Sequence, residues 1–219
     1  MKIVSVILAR GGSKEIPSKN IIDLCGMPLI SYAIKASILS NVSETWVSTN
    51  CSKIKAVSEK YGAMVLDRPD DISGDKCKSE LALIHFIENI DCDILVFIQP
   101  TSPMINYKDI NKGISLIGKY DSVISVYKKH WLPSWGYKNG IFKPIGWNLE
   151  DRPMRQDVDI AYVENGALYI TTSHAIIKTG IRSSGSVGFV EMSEIDSIQI
   201  DSHSNLELAE TILSNKNGN

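Results

Sequence analysis

The chain has 219 residues, enough for a single domain over residues 1–219 with a proper core, and its 43% hydrophobic and 22% charged content are ordinary for a globular protein. A formal net charge of −2 excludes the broad basic field that binds nucleic acid or an anionic membrane surface, so any anion site must draw on local positive charge. The four cysteines, Cys25, Cys51, Cys77 and Cys92, form neither a CxxC pair nor a zinc-ligand spacing, and they read as reduced thiols in a cytoplasmic protein.

The opening "KIVSVILA" is a continuous apolar run, the pattern of a strand buried on both faces rather than of a signal peptide. It stops at Arg10, and "RGGSKEIPSKN" follows as a glycine-rich, basic loop. Pro28 then opens a helix, "PLISYAIKASILS", apolar at helical spacing. "TWVST" is a short strand, and "SKIKAVSEKYG" is a helix with Ser52 as N-cap and Gly62 as its stop. Strand "AMVLD", helix "SELALIHFIENI" with Ser79 as a further N-cap, strand "DILVFIQP", helix "YKDINKGISLIGK" and strand "DSVISVY" continue the alternation.

This rhythm predicts an α/β fold: a doubly wound, mainly parallel sheet with helices on both faces. In such sheets ligands sit beyond the carboxyl ends of the strands, where the loops at 10–20 and 99–103 lie. The rhythm breaks after Lys128. Residues 129–156 carry Trp131, Trp135 and Trp147, with Pro133, Pro144 and Pro153, and show no clear period. So long an irregular stretch is read as an interaction element. Beyond it come a strand "YVENGALYITT", a short helix "HAIIKTG", strands "VGFVEM" and "SIQID", and a terminal amphipathic helix "SNLELAETILSN". No stretch approaches the ~20 apolar residues of a membrane span.

A glycine-rich loop after a strand lets backbone N–H groups approach a phosphate, and Arg10, Lys14 and Lys19 add charged donors suited to a triphosphate. The loop is neither a P-loop nor a GxGxxG fingerprint. A tight turn with solvated lysines would have the same composition.

"ARGGSKEIPSKN" resembles the N-terminal signature of the acylneuraminate cytidylyltransferases, the CMP-sialic acid synthetases. "LVFIQPTSP", then "RPMRQD" with "YVENGALYI", and "SIQIDSHSNLELAE" resemble that family's later motifs in the same order. The resemblance implies a nucleotide-diphospho-sugar transferase-like fold. It also implies transfer of CMP from CTP to the anomeric hydroxyl of a nine-carbon 2-keto-3-deoxy sugar acid, with Mg2+ as cofactor. By it, Arg10, Ser13 and Lys19 hold the triphosphate, with the Gly11 and Gly12 amides nearby, and Asn20, Arg68 and Ser79 contact the nucleotide. Gln99, Arg155, Gln156, Asn165 and Tyr169 fall on the sugar side, although Tyr169 fits core packing equally well. Asp201 is the metal ligand. The family usually carries two aspartates here, two residues apart, and this chain has Gln199 at the first position. The resemblance further implies a homodimer, with residues 129–156 as the dimerisation extension. Two rivals remain open. One is the 3-deoxy-manno-octulosonic acid cytidylyltransferase, disfavoured because "QPTSP" lacks that family's acidic residue. The other is a catalytically impaired nucleotide-binding homologue.

Overall fold

The computed structural model describes residues 1–130 and 132–217, and in it the N-terminal apolar run lies inside the sheet. This strand, β1 (Ile3–Leu8), is flanked on both sides by parallel partners, which is why both of its faces are apolar. A short hairpin follows, β2 (Asp23–Leu24) and β3 (Met27–Pro28), turned by Cys25 and Gly26, both at positive φ. Then α1 (Leu29–Ile38), β4 (Glu44–Thr49), α2 (Ser52–Lys60), β5 (Met64–Asp67), α3 (Ser79–Asn89), β6 (Ile94–Ile98), α4 (Tyr107–Leu116) and β7 (Ser122–Lys129) alternate as the sequence predicts. A second hairpin comes next, β8 (Ser134–Lys138) and β9 (Ile141–Ile145). The chain closes with β10 (Ala161–Thr172), α5 (Ser173–Thr179), β11 (Val187–Met192) and α6 (His203–Asn217).

The main sheet has seven strands in the order β11-β7-β10-β6-β1-β4-β5. Every pairing is parallel except those of β10, which runs against both β6 and β7. On one face α1, α2 and α4 bury Ile30, Ile34, Ile54 and Ile110 against Ile7 and Val47. On the other, α3 and α5 bury Leu83, Phe86 and Ile176 against Val4, Leu95 and Phe97. A third cluster sets Leu206 and Leu213 of α6 against Leu24, Leu29 and Ile200, which fixes the segment carrying Asp201.

Several local expectations need correction. Pro28 is not the first helical residue; it precedes α1 in extended conformation and pairs with Asp23. The N-cap of α2 is Cys51 rather than Ser52, and that of α3 is Lys78 rather than Ser79. "SIQID" is not a strand: Ile195–Ser197 is a 3-10 turn, and the rest runs as coil, with the Ile200 N–H bonded to the Thr101 carbonyl of a loop. Residues 129–156 are not wholly irregular. Asn139 and Gly140, both at positive φ, turn the β8–β9 hairpin, and Asn-Gly is the dipeptide that favours such a turn. Trp131 lies outside the described residues.

Candidate active site

The last ladder bond of β1 runs from the Ala9 N–H to the Ser48 carbonyl, and the loop leaves the sheet at Arg10. A cleft of about 580 Å³ opens there. It gathers Arg10, Ser13, Lys19 and Asn20 from the loop, Arg68 from the end of β5 and Ser79 from the start of α3. Gln99, just past β6, and Asp201 complete its wall. Five segments distant in sequence thus deliver polar groups to one concavity.

The loop is braced from within. Asn20 is buried and donates through Nδ2 to the Arg10 carbonyl at 3.0 Å. The Gly11 N–H donates to Asn50 Oδ1 at 2.9 Å, so that amide is already engaged. A Cβ at Gly11 would stand 3.2 Å from the Cys51 Cβ, which explains a glycine there by close approach. Gly12, at φ +75, lines a small adjoining cavity with Arg10 and Ser13.

Several charges in the cleft are paired with one another, and one buried charge is not. Arg10 Nη1 meets Asp75 at 2.6 Å and Lys14 Nζ meets the same carboxylate at 2.5 Å. These partners, Lys14 first, hold the Asp75 carboxyl below its usual range. Lys19 Nζ meets Asp201 at 2.8 Å. Arg68 is the buried charge without a partner among the described residues. It is only 7% exposed, and its Nε and Nη2 have no hydrogen-bond partner. Burial, and then the nearby charge of Arg10, push its guanidinium down to about 10. A buried cation with idle donors beside a cleft is costly unless an acceptor completes it.

The sugar-side expectations divide. Gln99 lines the cleft. Tyr169 is buried, with its ring stacked on Phe97 at 5.5 Å and its hydroxyl donating to Glu164. Burial, and then that bond, hold its phenol well above the ordinary range, so it stays protonated at neutral pH. Asn165 serves the fold. Between Glu164 and Tyr169 the register of β10 against β7 shifts, and Gly166 there sits at φ +74. Asn165 Oδ1 accepts from Ser125 Oγ at 2.5 Å and from the Ala167 N–H at 3.1 Å, while Nδ2 donates to Ser197 Oγ at 2.8 Å. Its amide therefore replaces the ladder bonds lost in the bulge. Arg155 and Gln156 stand on an exposed 3-10 turn, outside the residues lining the cleft.

Gln199 is also structural. Its Nε2 donates to the Asn165 carbonyl at 2.7 Å and to Ser102 Oγ, and its Oε1 accepts from Thr101 Oγ1 at 2.7 Å. Both ends of the amide are engaged, so the pairing of positions 199 and 201 on one metal does not arise. Among the described residues no group of three or more His, Cys, Asp or Glu side chains could hold a metal. Asp201 offers one exposed carboxylate at the cleft. That suits an ion which keeps several waters and takes its other ligands from phosphates. Sequence reasoning passed over Asp75, whose "SGDKCK" setting looks like an ordinary surface turn. It also passed over Glu80 and Arg182, which carry no motif.

The sequence pattern of a family described as "Cytidylyltransferase" matches residues 4–209. The chain is 36% identical over 206 residues to N-acylneuraminate cytidylyltransferase A of Danio rerio, covering 91% of this chain and 48% of that protein. It thus spans about half the length of that curated relative. It is 32% identical over 192 residues to the CMP-N,N'-diacetyllegionaminic acid synthase of Legionella pneumophila, covering 81% of each. Among solved structures, CMP:2-keto-3-deoxy-manno-octonic acid synthetase complexed with CTP superposes with a TM-score of 0.74 at 17% identity, over 99% of this chain and 100% of that one. This last likeness concerns the fold, and it agrees with the mainly parallel sheet expected. The relatives agree with the resemblance carried by the four ordered motifs. With a match running from β1 into α6, the chain belongs to the cytidylyltransferase family.

Proposed function

We propose that the protein transfers CMP from CTP to the anomeric hydroxyl of a nonulosonic acid of the sialic, legionaminic or pseudaminic type. The observation that carries this reading is Arg68: a buried guanidinium with two idle donors in a cleft rimmed by Arg10, Lys14 and Lys19. In this reading Arg68, Asn20 and Ser79 hold the nucleoside end of CTP. Arg10, Ser13 and Lys19 neutralise the phosphates, with Lys14 beside them. The sugar hydroxyl attacks the α-phosphorus, the bond to the β-phosphate oxygen breaks, and pyrophosphate leaves with that electron pair. The hydroxyl proton passes to water. Such a displacement needs in-line positioning and charge neutralisation more than covalent help. Asp201 would hold a magnesium ion, which when bound supplies positive charge to phosphate oxygens.

Gln99 orients the acceptor from the end of β6. Arg155 and Gln156 reach an active site only if a second copy brings them there. A homodimer joined through residues 129–156 would do so. It is supported by the exposed Leu132, Trp135, Tyr137, Ile141, Phe142 and Ile145, more apolar surface than a lone chain usually leaves in water. Light scattering at micromolar concentration tests the dimer, and a fully active monomer would refute it. No helix among the described residues is long and apolar enough to cross a membrane, and all four thiols are free. Both facts suit the cytoplasm.

The experiment is pyrophosphate release with CTP, magnesium and a panel of nonulosonic acids, with 3-deoxy-manno-octulosonic acid alongside. The expected result is turnover with a nine-carbon acid, with ATP and GTP far slower. Turnover with the eight-carbon acid alone would favour the first rival. No turnover, with CTP still bound, would favour the impaired homologue.

A further inference from the structure

Arg182 follows α5 directly, just past the left-handed Gly180 that ends the helix. Its Nε meets Glu80 Oε1 at 2.9 Å. Its guanidinium carbon stands 4.9 Å from the centre of the Tyr169 ring and 6.0 Å from that of Phe97. Those two rings are nearly parallel, at 19°. The guanidinium therefore has an aromatic floor and one carboxylate gripping it by Nε. Neither terminal nitrogen has an ion-pair partner among the described residues.

Its position is informative. Phe97 lines the cleft, Gln99 extends the same strand into it, and Ser79, next to Glu80, lines it as well. Arg182 does not itself line the cleft; it stands behind the cleft wall on the β6–β10 side, against Phe97, which lines it, and Glu80, which follows the lining Ser79. The other cations belong to the nucleotide side. Arg10 and Lys14 share Asp75, Lys19 holds Asp201, and Arg68 lies at the end of β5. A purely structural ion pair on a half-open rim contributes little. A planar fork fixed by one partner, with its outer donors idle, is pre-organised to take an oxygen acceptor.

Resting on the function proposed above, we propose that Arg182 is a specificity-determining residue of the acceptor half. Its terminal nitrogens take an oxygen of the incoming sugar acid, and Glu80 positions them. That oxygen belongs either to the C1 carboxylate or to an acyl group on the sugar. Phe97, the ring of the pair that lines the cleft, supplies the apolar surface beside which the sugar ring settles, with Tyr169 backing it.

The test is steady-state kinetics of the wild type, R182M and R182K, with thermal denaturation of each. R182M keeps the packing over the two rings but removes the donors. Its KM for the sugar acid should rise tenfold or more, with KM for CTP within twofold. R182K should recover part of the loss, and it carries the test if R182M does not fold. Two analogues identify the oxygen: the C1 carboxamide and the de-N-acylated acid. Wild type should discriminate against the analogue lacking the recognised oxygen, and R182M should not. Two results overturn the proposal: an unchanged sugar KM in the folded variant, or equal rises for sugar and CTP. A wild type inactive on every acid would instead overturn the function on which this inference rests.

Discussion

Arg10 and Asp75 lie 2.6 Å apart, so the arginine that opens the glycine loop is already occupied by an anion from its own chain. Lys14 holds the other oxygen of the same carboxylate. In the function proposed above, Asp75 stands where a phosphate of CTP would sit, and CTP would have to displace it. Asp75→Asn should therefore tighten CTP binding by about 3–10-fold, an exposed ion pair being weak but directly competing. Titration calorimetry would measure it, and weaker binding would show that Asp75 orients the loop instead. The depressed Asp75 carboxyl sets the pH sense. Its hold on Arg10 and Lys14 is present above the ordinary carboxylate range and is lost only as pH falls through the lowered value, so the competition persists at neutral pH.

Arg68→Met should separate stability from binding. Without ligand, the arginine buries a cation whose Nε and Nη2 lack partners. Replacing it with an apolar chain of similar length should leave the melting temperature unchanged or raise it by about 2–4 °C. The stabilisation that CTP gives the wild type should vanish. A variant that melts lower yet still responds to CTP would make Arg68 a structural residue.

Lys19→Ala should lower kcat by about 10²–10³, the loss typical of one charge-stabilising donor. Lys19 is largely buried and tied to Asp201, so the variant also frees that carboxylate. Lys19→Arg should recover part of the rate. An unchanged kcat with a collapsed melting temperature would assign Lys19 to the fold.

Gln199→Ala should destabilise the protein by about 1–3 kcal/mol, because it strands the Asn165 carbonyl and the Thr101 and Ser102 hydroxyls. Chemical denaturation measures this. The magnesium concentration giving half-maximal rate should stay within twofold of wild type. A large rise in it would return position 199 to the metal.

The parallel half of the fold was legible because β1 and β6 are apolar on both faces and the helices between them carry clear periodicity. The place of the glycine-rich loop at the cleft was legible because it follows a buried strand at the carboxyl edge of the sheet. The bracing role of Asn165 was hidden for a physical reason. An asparagine before a glycine suits a ligand contact and a bulge equally, and only the register shift against β7 reveals the bulge. Asp75 and Arg182 were silent because their roles arise from what packs beside them, not from neighbours in sequence.

β10 runs against its neighbours, so its beginning, not its end, arrives at the carboxyl edge of β6 and β7. The long excursion after β7, with its hairpin, is spliced in at that same edge. The strands that present the nucleotide loops are parallel and wired through helices; this portion is wired as a returning ribbon. Lengthening or exchanging residues between Lys129 and Ala161 leaves the order of β1, β4, β5 and β6 untouched. On the proposed function, that segment carries Arg155 and Gln156 and can be exchanged without rewiring the strands that present the nucleotide loops. A chimaera carrying a relative's segment between those two residues is a natural unit of exchange.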